Sequence, residues 1–413
     1  MRLDPAHESW MTTPETRAVM DALTADGGTA RFVGGVVRNA LMRRGVTDID
    51  IATPLVPEEV MRRLQSAGLG AVPTGIEHGT ITAIAGGKPF EITTLRRDVS
   101  TDGRRATVAF ATEWQEDAAR RDFTINALYA AANGEVFDYF DGIADLQAGR
   151  VRFVGDPVFR IREDYLRILR LFRFHAWYGR GDVDAEALHA AVSEKRGIAK
   201  LSGERLQKEM LKLLEAENPT PVLRVMAASG ILSEILLSAL RLPRLEKLVE
   251  IDRSYFFAAD AVLRLTALLP EGAAEVDAVA GRLRFSTAER ERLRDLATAG
   301  EKIVPYLSMR EVRKLLYCLG VQRFRDRVRL RWAEDSKDSN AVQWRALLAM
   351  ADAWQRPVFP LSGRDVMNAG VAEGPLVGRI LGEIEQWWID SDFIEDEFSL
   401  AERLKAVVQA IAY

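Results

Sequence analysis

Two short motifs near the N-terminus combine residue types that bind phosphate and divalent metal. Gly34 and Gly35 end an apolar run, and Arg38 follows three residues later. Glycines at such a turn let backbone N–H groups approach phosphate oxygens, and an arginine in the first helical turn adds positive charge. Asp48 and Asp50 follow in the run DIDIAT, where the two-residue period of a strand predicts both carboxylates on one face.

Closely spaced carboxylates of this kind indicate a metal site. Two carboxylates about 4 Å apart repel by roughly 4 kcal/mol at an effective dielectric constant near 20, and a divalent cation relieves that repulsion. Oxygen ligands favour magnesium over zinc. We therefore predict Mg²⁺ at Asp48 and Asp50, with Glu91 of the run KPFEITTL as the candidate third catalytic carboxylate. The alternatives are a solvated turn at Asp48, a capping role for Asp50 and a water-facing Glu91.

A second cluster, RRDFTINAL, contains Arg121, Asp122 and Asn126. Guanidinium groups bind phosphate through two hydrogen bonds at once, and asparagine or threonine can hold sugar hydroxyls. The cluster therefore suits a nucleoside triphosphate. A plain helix N-terminus capped by Asp122 is the competing interpretation.

A third cluster lies in the segment RIREDYLRILRLFR. Its polar residues recur every three positions, which predicts one polar line beside the apolar stripe of a single helix. These residues are Asp164, Arg167, Arg170 and Arg173. A solvated face of ion pairs is the ordinary interpretation of such a line, but the excess of arginine favours ligand binding.

The elements that must position these clusters change in character along the chain. Between residues 30 and 154, short β-branched and aromatic runs alternate with Gly and polar turns, which predicts an α+β or α/β domain. After Val154 the apolar residues recur every three or four positions and strand-like runs nearly vanish. Roughly the last 260 residues are therefore predicted to be helical, with breaks at Pro219, Pro221 and Pro270.

Composition excludes several classes of protein. The chain has 413 residues, of which 48% are hydrophobic and 28% charged, as in an ordinary globular protein of two to four domains. The single cysteine, Cys318, excludes an intramolecular disulfide framework and a zinc finger, and none of the four histidines precedes an aspartate, as a His-Asp metal phosphohydrolase would require. No apolar stretch suits a signal peptide or a membrane span, so we expect a cytoplasmic location and no membrane partner.

The charge distribution is uneven although the formal net charge is only −4. Residues 301–331 contain nine basic and three acidic residues, whereas residues 383–402 are strongly acidic. The basic stripe, as we call residues 301–331, predicts either a surface that contacts the phosphates of RNA or a solvated helix face.

The three clusters, in this order and at these spacings, resemble the class II tRNA nucleotidyltransferases, which are the CCA-adding enzymes, and the related bacterial poly(A) polymerases. The resemblance spans most of the chain. It implies an α+β fold in which a polymerase-β-like nucleotidyltransferase head domain precedes an all-helical neck, body and tail. The implied bounds are 1–150 for the catalytic head, 151–217 for the base-recognising neck, 218–300 for the body and 301–413 for the tRNA-binding tail.

The resemblance also implies an activity and a role for each motif. The activity is template-independent addition of CCA to the 3′ end of tRNA from CTP and ATP, by nucleotidyl transfer with two Mg²⁺ ions and release of pyrophosphate. The implied metal ligands are Asp48 and Asp50. The implied nucleotide-binding residues are Gly34, Gly35 and Arg38 for phosphate, Arg121, Asp122 and Asn126 for ribose and triphosphate, and Asp164 and Arg167 for the base. Arg170 and Arg173 are also implied to bind the nucleotide.

Three further segments are similar to family elements, and one residue departs from the pattern. The segment from Arg205 to Lys212 resembles a helix that braces the base-reading one, and residues 101–117 resemble the family's flexible loop. Residues 362–365 with 374–375 resemble its C-terminal tail. The family usually has Asp after Val-Arg, whereas this chain has Asn39, which can accept a hydrogen bond but lacks the charge.

Alternative functions remain open from the sequence. A bacterial poly(A) polymerase would prefer one nucleotide and make long products, although the loop at 102–117 favours CCA addition. A CC-only enzyme would have an altered flexible loop, and a non-catalytic RNA-binding protein would be expected to lose Asp48 or Asp50, both of which are present. The sequence makes no prediction of oligomeric state.

Overall fold

The computed structural model describes residues 1–102, 105–236, 240–298 and 300–411. It divides into two compact units. The first comprises Met1–Leu237 with Gly281–Phe285, and the second comprises Ser238–Ala280 with Ser286–Tyr413. The four-part division into head, neck, body and tail remains a prediction.

All of the described strands belong to the first unit and precede residue 140. They are β1 (Arg31–Val33), β2 (Asp50–Thr53), β3 (Gly70–Gly75), β4 (Thr80–Ala85), β5 (Lys88–Thr94), β6 (Arg96–Asp102), β7 (Arg105–Phe110), β8 (Leu128–Ala130) and β9 (Val136–Asp138). Seven form one mixed sheet in the order β3-β4-β5-β2-β1-β8-β9, while β6 and β7 pair with each other. The prediction of a mixed domain followed by a helical remainder is confirmed.

One strand pair in the seven-stranded sheet is parallel. Neighbouring strands in the described part of this sheet run antiparallel except β2 and β5, which pair with Asp50 opposite Glu91 and Ile51 opposite Ile92. Because side chains alternate between the two faces of a sheet, residues at matching register positions point to the same face. Ile51 and Ile92 are fully buried, so Asp50 and Glu91 lie on the opposite face.

The helices of the first unit cover the sheet and continue beyond it. They are α1 (Ser9–Thr12), α2 (Pro14–Thr24), α3 (Gly35–Leu41), α4 (Pro57–Ser66), α5 (Trp114–Ala119), α6 (Gly142–Ala148), α7 (Pro157–Glu163), α8 (Leu166–Tyr178), α9 (Ala185–Glu194), α10 (Gly203–Leu214), α11 (Thr220–Ala228) and α12 (Ser233–Leu236). Helices α8 and α10 pack against each other. Leu169 and Phe172 of α8 and Leu206 and Met210 of α10 are buried, as their spacing of three or four residues requires.

The described part of the second unit contains helices joined by loops and no strands. Its helices are α13 (Leu242–Ser254), α14 (Ala261–Leu268), α15 (Ala273–Arg282), α16 (Thr287–Ala297), α17 (Met309–Leu319), α18 (Val321–Trp332), α19 (Ala341–Asp352), α20 (Gly363–Asn368), α21 (Pro375–Asp390) and α22 (Glu397–Ile411). Capping boxes at Ser286, Ser308 and Ser362 begin α16, α17 and α20. No described helix is long and apolar enough to cross a membrane.

The basic stripe at 301–331 is rich in ion pairs. Seven of its cations form ion pairs, most of them with acidic residues from other parts of the second unit. The pairs are Arg313 with Asp392, Lys314 with Asp390, Arg323 and Arg327 with Asp295, Arg325 with Asp352, Arg329 with Asp252, and Arg331 with Glu334. Whether the stripe also contacts phosphates stays a prediction.

The segment compared with a flexible loop, residues 101–117, is partly ordered secondary structure. Its backbone includes the end of β6, all of β7 and the start of α5. Two residues of the segment, Gly103 and Arg104, lie outside the described residues.

Candidate active site

A cleft of about 490 Å³ in the first unit brings the three sequence clusters together. Most of the predicted site residues line it, and Asp48 and Glu91 do not. The predicted residues in the lining are Gly34, Gly35, Arg38, Asp50, Arg121, Asp122, Asn126, Asp164, Arg167, Arg170 and Arg173. The lining also includes Arg120, Leu166, Phe174 and Arg205, which were not singled out individually from the sequence.

The Gly-Gly turn joins β1 to α3 at one end of this cleft. Gly34 has a φ of 72°, a conformation that favours glycine, and its N–H donates to the carbonyl of Leu128 at 3.0 Å. A Cβ atom at Gly34 would lie 3.5 Å from both Arg121 Nη1 and the Asn126 carbonyl oxygen. Glycine therefore keeps the first turn of α3 open toward the segment that carries Arg121 and Asn126.

The predicted acidic cluster is centred on Asp50, the first residue of β2. Burial, with a further contribution from the charges of Glu91 and Asp48, raises the pKa of Asp50 to about 6 against the opposing effect of Arg121. Asp48 lies in the exposed loop before β2, so the prediction that both aspartates share one strand is wrong. Glu91 is exposed, in agreement with the water-facing alternative.

The donor chemistry of this cluster fits a magnesium ion. Among the residues that the structure describes, no three His, Cys, Asp or Glu side chains are grouped closely enough to hold a metal ion by themselves. Magnesium in nucleotide-dependent enzymes usually binds through one or two carboxylates together with water and substrate phosphates. Burial is the main cause of the raised pKa of Asp50, and the repulsion from Glu91 and Asp48 adds to it; a bound cation would relieve that repulsion.

Arg38 is a buried cation at the wall of the cleft, with 6% of its surface exposed. Its Nη1 donates to Asn126 Oδ1, its Nε and Nη2 donate to Asn39 Oδ1 at 3.2 and 3.0 Å, and Nη2 also donates to the Tyr178 hydroxyl at 2.8 Å. Burial lowers the pKa of the Arg38 guanidinium. Asn39, where the family usually has Asp, thus supplies an acceptor without neutralising this cation.

Asp122 connects the central cluster to α8. Its Oδ1 accepts from the Phe123 N–H at 2.9 Å and from Asn126 Nδ2 at 3.1 Å, while its Oδ2 accepts from Arg170 Nε at 2.8 Å. Burial alone would raise the pKa of Asp122, but Arg170 and these hydrogen bonds outweigh it and lower the pKa to about 2. The short 3₁₀ helix at Thr124–Asn126 is not capped by Asp122, which contradicts the capping interpretation.

Asp117 holds the two arginines of the central cluster, and the sequence analysis missed this role. Its side chain is 1% exposed; Oδ1 accepts from Arg120 Nε at 2.8 Å, and Oδ2 accepts from Arg121 Nη2 at 3.0 Å and from the Tyr129 hydroxyl at 2.7 Å. The available signal was its spacing, since Asp117 precedes Arg120 and Arg121 by three and four residues.

The third cluster lies on α8 except for Asp164, which precedes that helix. Asp164 lies in an extended bend between α7 and α8, with a φ of −156°, so the prediction of one continuous helical line is wrong. Its Oδ2 accepts from Arg205 Nη2 of α10 at 2.6 Å, and its Oδ1 accepts from the Leu166 N–H at 3.1 Å. Asp164 nevertheless lines the cleft beside Arg167.

Every arginine of the third cluster has a carboxylate partner. Arg167 pairs with Glu163 and donates to the carbonyl of Arg160 at 2.8 Å. Arg170 pairs with Asp122, and Arg173 Nε donates to Glu209 Oε2 of α10 at 2.5 Å. These contacts fix the face of α8 that lines the cleft, so the arginines are positioned by other elements as well as by their own helix.

Comparison with known proteins defines the class. Residues 30–152 match the family described as the Poly A polymerase head domain, and residues 182–241 match one described as the probable RNA and SrmB-binding site of polymerase A. Together with the mixed sheet and the cleft, these matches define a nucleotidyltransferase with a polymerase-β-like head domain.

Full-length relatives then define the family. The chain is 32% identical to mouse mitochondrial CCA tRNA nucleotidyltransferase 1, over 98% of this chain and 93% of the relative, and 34% identical to the CCA-adding enzyme of Streptococcus gordonii, over 92% and 94%. The fold matches the Bacillus stearothermophilus CCA-adding enzyme in complex with CTP, with a TM-score of 0.78, 24% identity and coverage of 97% and 99%. The chain therefore belongs to the family of CCA-adding tRNA nucleotidyltransferases.

Proposed function

We propose that this chain adds CCA to the 3′ end of tRNA, taking CTP and ATP as substrates and using no nucleic-acid template. The observation that carries the proposal is the cleft in which Asp164 and Arg167 share one lining with the Gly-Gly turn and Asp50. Groups suited to a base, a triphosphate and a metal ion thus meet in a single site. Solved relatives include a Thermotoga maritima CCA-adding enzyme complexed with tRNA.

Members of this family use a divalent metal ion, and we propose that the ion here is Mg²⁺. Asp48 and Asp50 would hold it, with Glu91 as the candidate third carboxylate. When bound, Mg²⁺ lowers the pKa of the attacking 3′-hydroxyl and neutralises the charge of the departing pyrophosphate. The carboxylates themselves bring the charge that makes such binding favourable.

The triphosphate would be bound by the turn and by buried arginines. The backbone N–H groups that follow Gly34 point from the N-terminus of α3, where anions are favoured. Arg38 and Arg121 add positive charge in positions already fixed by hydrogen bonds. Asn126 and Asp122 would hold the ribose hydroxyls. Because these groups are oriented before the nucleotide arrives, little reorganisation is needed during transfer.

Base choice would come from Asp164 and Arg167. A carboxylate accepts from the exocyclic amino group that cytosine and adenine both carry, and a guanidinium donates to the neighbouring ring nitrogen. Uracil and guanine present a carbonyl where that amino group would be. Asp164 already accepts from Arg205 and the Leu166 N–H, but a carboxylate has about four acceptor positions, so capacity for a base remains.

The other candidate functions are less well supported. The full-length relatives named above are CCA tRNA nucleotidyltransferases, and no observation specific to this chain favours a poly(A) polymerase, a CC-only enzyme or a non-catalytic RNA-binding protein. A cytoplasmic location remains a prediction, and mitochondrial relatives exist.

The test is extension of tRNA that lacks its 3′ CCA. The purified chain is incubated with this tRNA and Mg²⁺, with CTP alone, ATP alone, UTP or GTP alone, and CTP with ATP, and the products are sequenced. We expect two added C residues with CTP alone and CCA with both nucleotides. Long A tails would support a poly(A) polymerase. Products that stop at CC when both CTP and ATP are present would support a CC-only enzyme. The absence of any extension would contradict the proposal.

A further inference from the structure

Arg38 is tied to α8 by two separate routes. In the first route, Arg38 Nη1 donates to Asn126 Oδ1, Asn126 Nδ2 donates to Asp122 Oδ1 at 3.1 Å, and Arg170 Nε donates to Asp122 Oδ2 at 2.8 Å. This route reaches α8 near its middle. It passes entirely through residues that line the cleft.

The second route is direct and reaches the end of α8. Arg38 Nη2 donates to the Tyr178 hydroxyl at 2.8 Å, and the guanidinium carbon lies 4.0 Å from the centre of the Tyr178 ring. The ring of Tyr178 in turn stacks on that of Phe174, with centres 5.8 Å apart and an interplanar angle of 27°. Phe174 lines the cleft, whereas Tyr178 does not.

The two routes close a ring of contacts through α3, the 122–126 segment and α8. Arg38 forms no ion pair with any of the described residues, so neutral acceptors and aromatic faces hold its charge. A buried cation of this kind keeps its capacity to attract an anion, and its geometry depends on the few groups that fix it. Within the described part of the chain, the hydrogen bond and ring contacts that join Arg38 directly to α8 are those with Tyr178 and Phe174.

We propose that Tyr178 is a positioning residue for Arg38, which it directs toward the phosphates of the incoming nucleotide. Tyr178 thereby holds α8, which carries Arg167 and Arg170, in a fixed position relative to α3, which begins at the Gly-Gly turn. The distance between the proposed base-binding residues of α8 and the proposed phosphate-binding residue Arg38 is thereby fixed. The inference rests on the proposed function only for the identity of the nucleotide. The binding of a phosphate chain beside Arg38 does not depend on it.

The hydroxyl of Tyr178 is the group to test, because Tyr178→Phe keeps the ring and its stacking on Phe174. The variant loses one acceptor for Arg38 Nη2, which retains Asn39. We expect Tyr178→Phe to fold as the wild type does. The position of the Arg38 guanidinium should be less well fixed.

The chain offers a matched control in Tyr139→Phe. The Tyr139 hydroxyl accepts from Arg31 Nη1 at 2.9 Å, and Arg31 also lies against aromatic rings, with its guanidinium carbon 3.5 Å from the centre of Phe137. This control removes the same chemical group from the same kind of Tyr-Arg contact in the same unit. Neither Tyr139 nor Arg31 lines the cleft.

The experiment measures binding of inorganic tripolyphosphate by calorimetry without metal, and then KM and kcat for CTP and ATP with tRNA. For Tyr178→Phe we expect the dissociation constant for tripolyphosphate and both KM values to rise together by about 3- to 10-fold, the loss of roughly one hydrogen bond. We expect Tyr139→Phe to match the wild type in all three. Melting temperatures of the two variants should agree with each other, since a purely structural role would lower stability without this selective loss.

Two outcomes would overturn the inference. One is a tripolyphosphate affinity of Tyr178→Phe equal to that of the wild type, and the other is an equal loss of affinity in Tyr178→Phe and Tyr139→Phe. A wild-type chain that binds tripolyphosphate in a Tyr178-dependent manner but does not extend tRNA would support the inference and contradict the proposed function.

Discussion

Asp164 accepts a hydrogen bond from Arg205 at 2.6 Å although the two residues are 41 positions apart in the chain. Asp164 belongs to the bend before α8, and Arg205 belongs to α10, which packs on α8. The direction of the Asp164 carboxylate is therefore set by a second helix. A group fixed in this way can discriminate between hydrogen-bonding patterns, because it cannot easily turn to suit a wrong one.

Replacing Asp164 tests base recognition. In Asp164→Ala the metal site and the phosphate contacts remain, while one edge of the base is no longer recognised. We expect the preference for CTP and ATP over UTP and GTP to fall by about 1–3 kcal/mol, a factor of roughly 5 to 150 in kcat/KM. The measurement is kcat/KM for all four nucleotides.

A matched control for this variant is Asp156→Ala. Asp156 caps the N-terminus of α7 through the Phe159 N–H at 2.7 Å and does not line the cleft. We expect a loss of stability of about 1 kcal/mol and unchanged nucleotide preference. An equal decline for all four nucleotides in Asp164→Ala would show that Asp164 has only a structural role.

The acidic cluster predicts loss of activity without loss of stability. Asp50→Asn and Asp48→Asn each remove a proposed metal ligand, so we expect nucleotide addition to be abolished. Because Asp50 is partly buried beside Glu91 and Asp48, removing its charge relieves repulsion, and the free energy of unfolding should stay constant or rise. Turnover is measured as a function of Mg²⁺ concentration, and the free energy of unfolding is measured in urea. The control for both measurements is Asp21→Asn, which changes an exposed residue of α2.

Normal turnover of either variant at saturating Mg²⁺ would contradict the metal assignment. Glu91→Gln is a weaker test. We expect reduced turnover and a higher Mg²⁺ requirement, whereas an unchanged enzyme would remove only Glu91 from the site.

Asp117 predicts a pH-dependent contribution to stability. Burial would raise its pKa, but Arg121, Arg120 and the Tyr129 hydroxyl lower it to about 2. A lowered pKa means that the ionised carboxylate stabilises the folded state above the ordinary value of 3.8, and that this contribution disappears as the pH falls toward 2. A difference of about two pKa units corresponds to about 2 kcal/mol.

We therefore expect Asp117→Asn to lower the free energy of unfolding by about 2 kcal/mol or more at pH 7, and by progressively less below pH 4. Urea unfolding of both proteins at several pH values provides the measurement. A difference that does not change with pH would mean that the charge of Asp117 is not what stabilises the cluster.

From the ion pairs of the second unit we predict that residues of the basic stripe contribute to the stability of the folded chain. Arg329 is buried and pairs with Asp252, so Arg329→Gln should destabilise the chain by about 3 kcal/mol. Arg325 pairs with Asp352 near the surface, and Arg325→Gln should cost less than about 1 kcal/mol. For Arg325→Gln we expect an unchanged salt dependence of tRNA binding, whereas a lost phosphate contact would reduce the slope by about one.

Local patterns predicted much of this molecule. The alternation of short strands before Val154 and the three- and four-residue spacing after it indicated the fold class, because both periods reflect which side chains can be buried together. The Gly-Gly turn and the aspartates near β2 were also visible, since each motif is contained in a few consecutive residues. The clusters meet in one cleft, as their combined chemistry suggested.

The sequence patterns failed to predict features that depend on contacts between residues far apart in the chain. The segment around Asp164 has helix-forming neighbours, but Arg205 and the capping of the Leu166 N–H hold Asp164 outside the helix. The ion pairs at 301–331 were not predicted either, because partners such as Asp252 in α13 and Asp392 after α21 are distant in the chain. Neither contact leaves a signal in a short window of sequence.

The parallel pairing of β2 with β5 limits how this chain can change in length during evolution. Asp50 and Glu91 match in register across an intervening helix and hairpin, so turns within that segment can gain or lose residues while the pairing is kept. A single-residue slip of β5 itself would turn Glu91 toward the interior and bring Phe90 or Ile92, both buried now, to the acidic face. Insertions should therefore be tolerated in the turns near residues 67–69 and 86–87, and selected against between Ile49 and Thr53 and between Phe90 and Thr94.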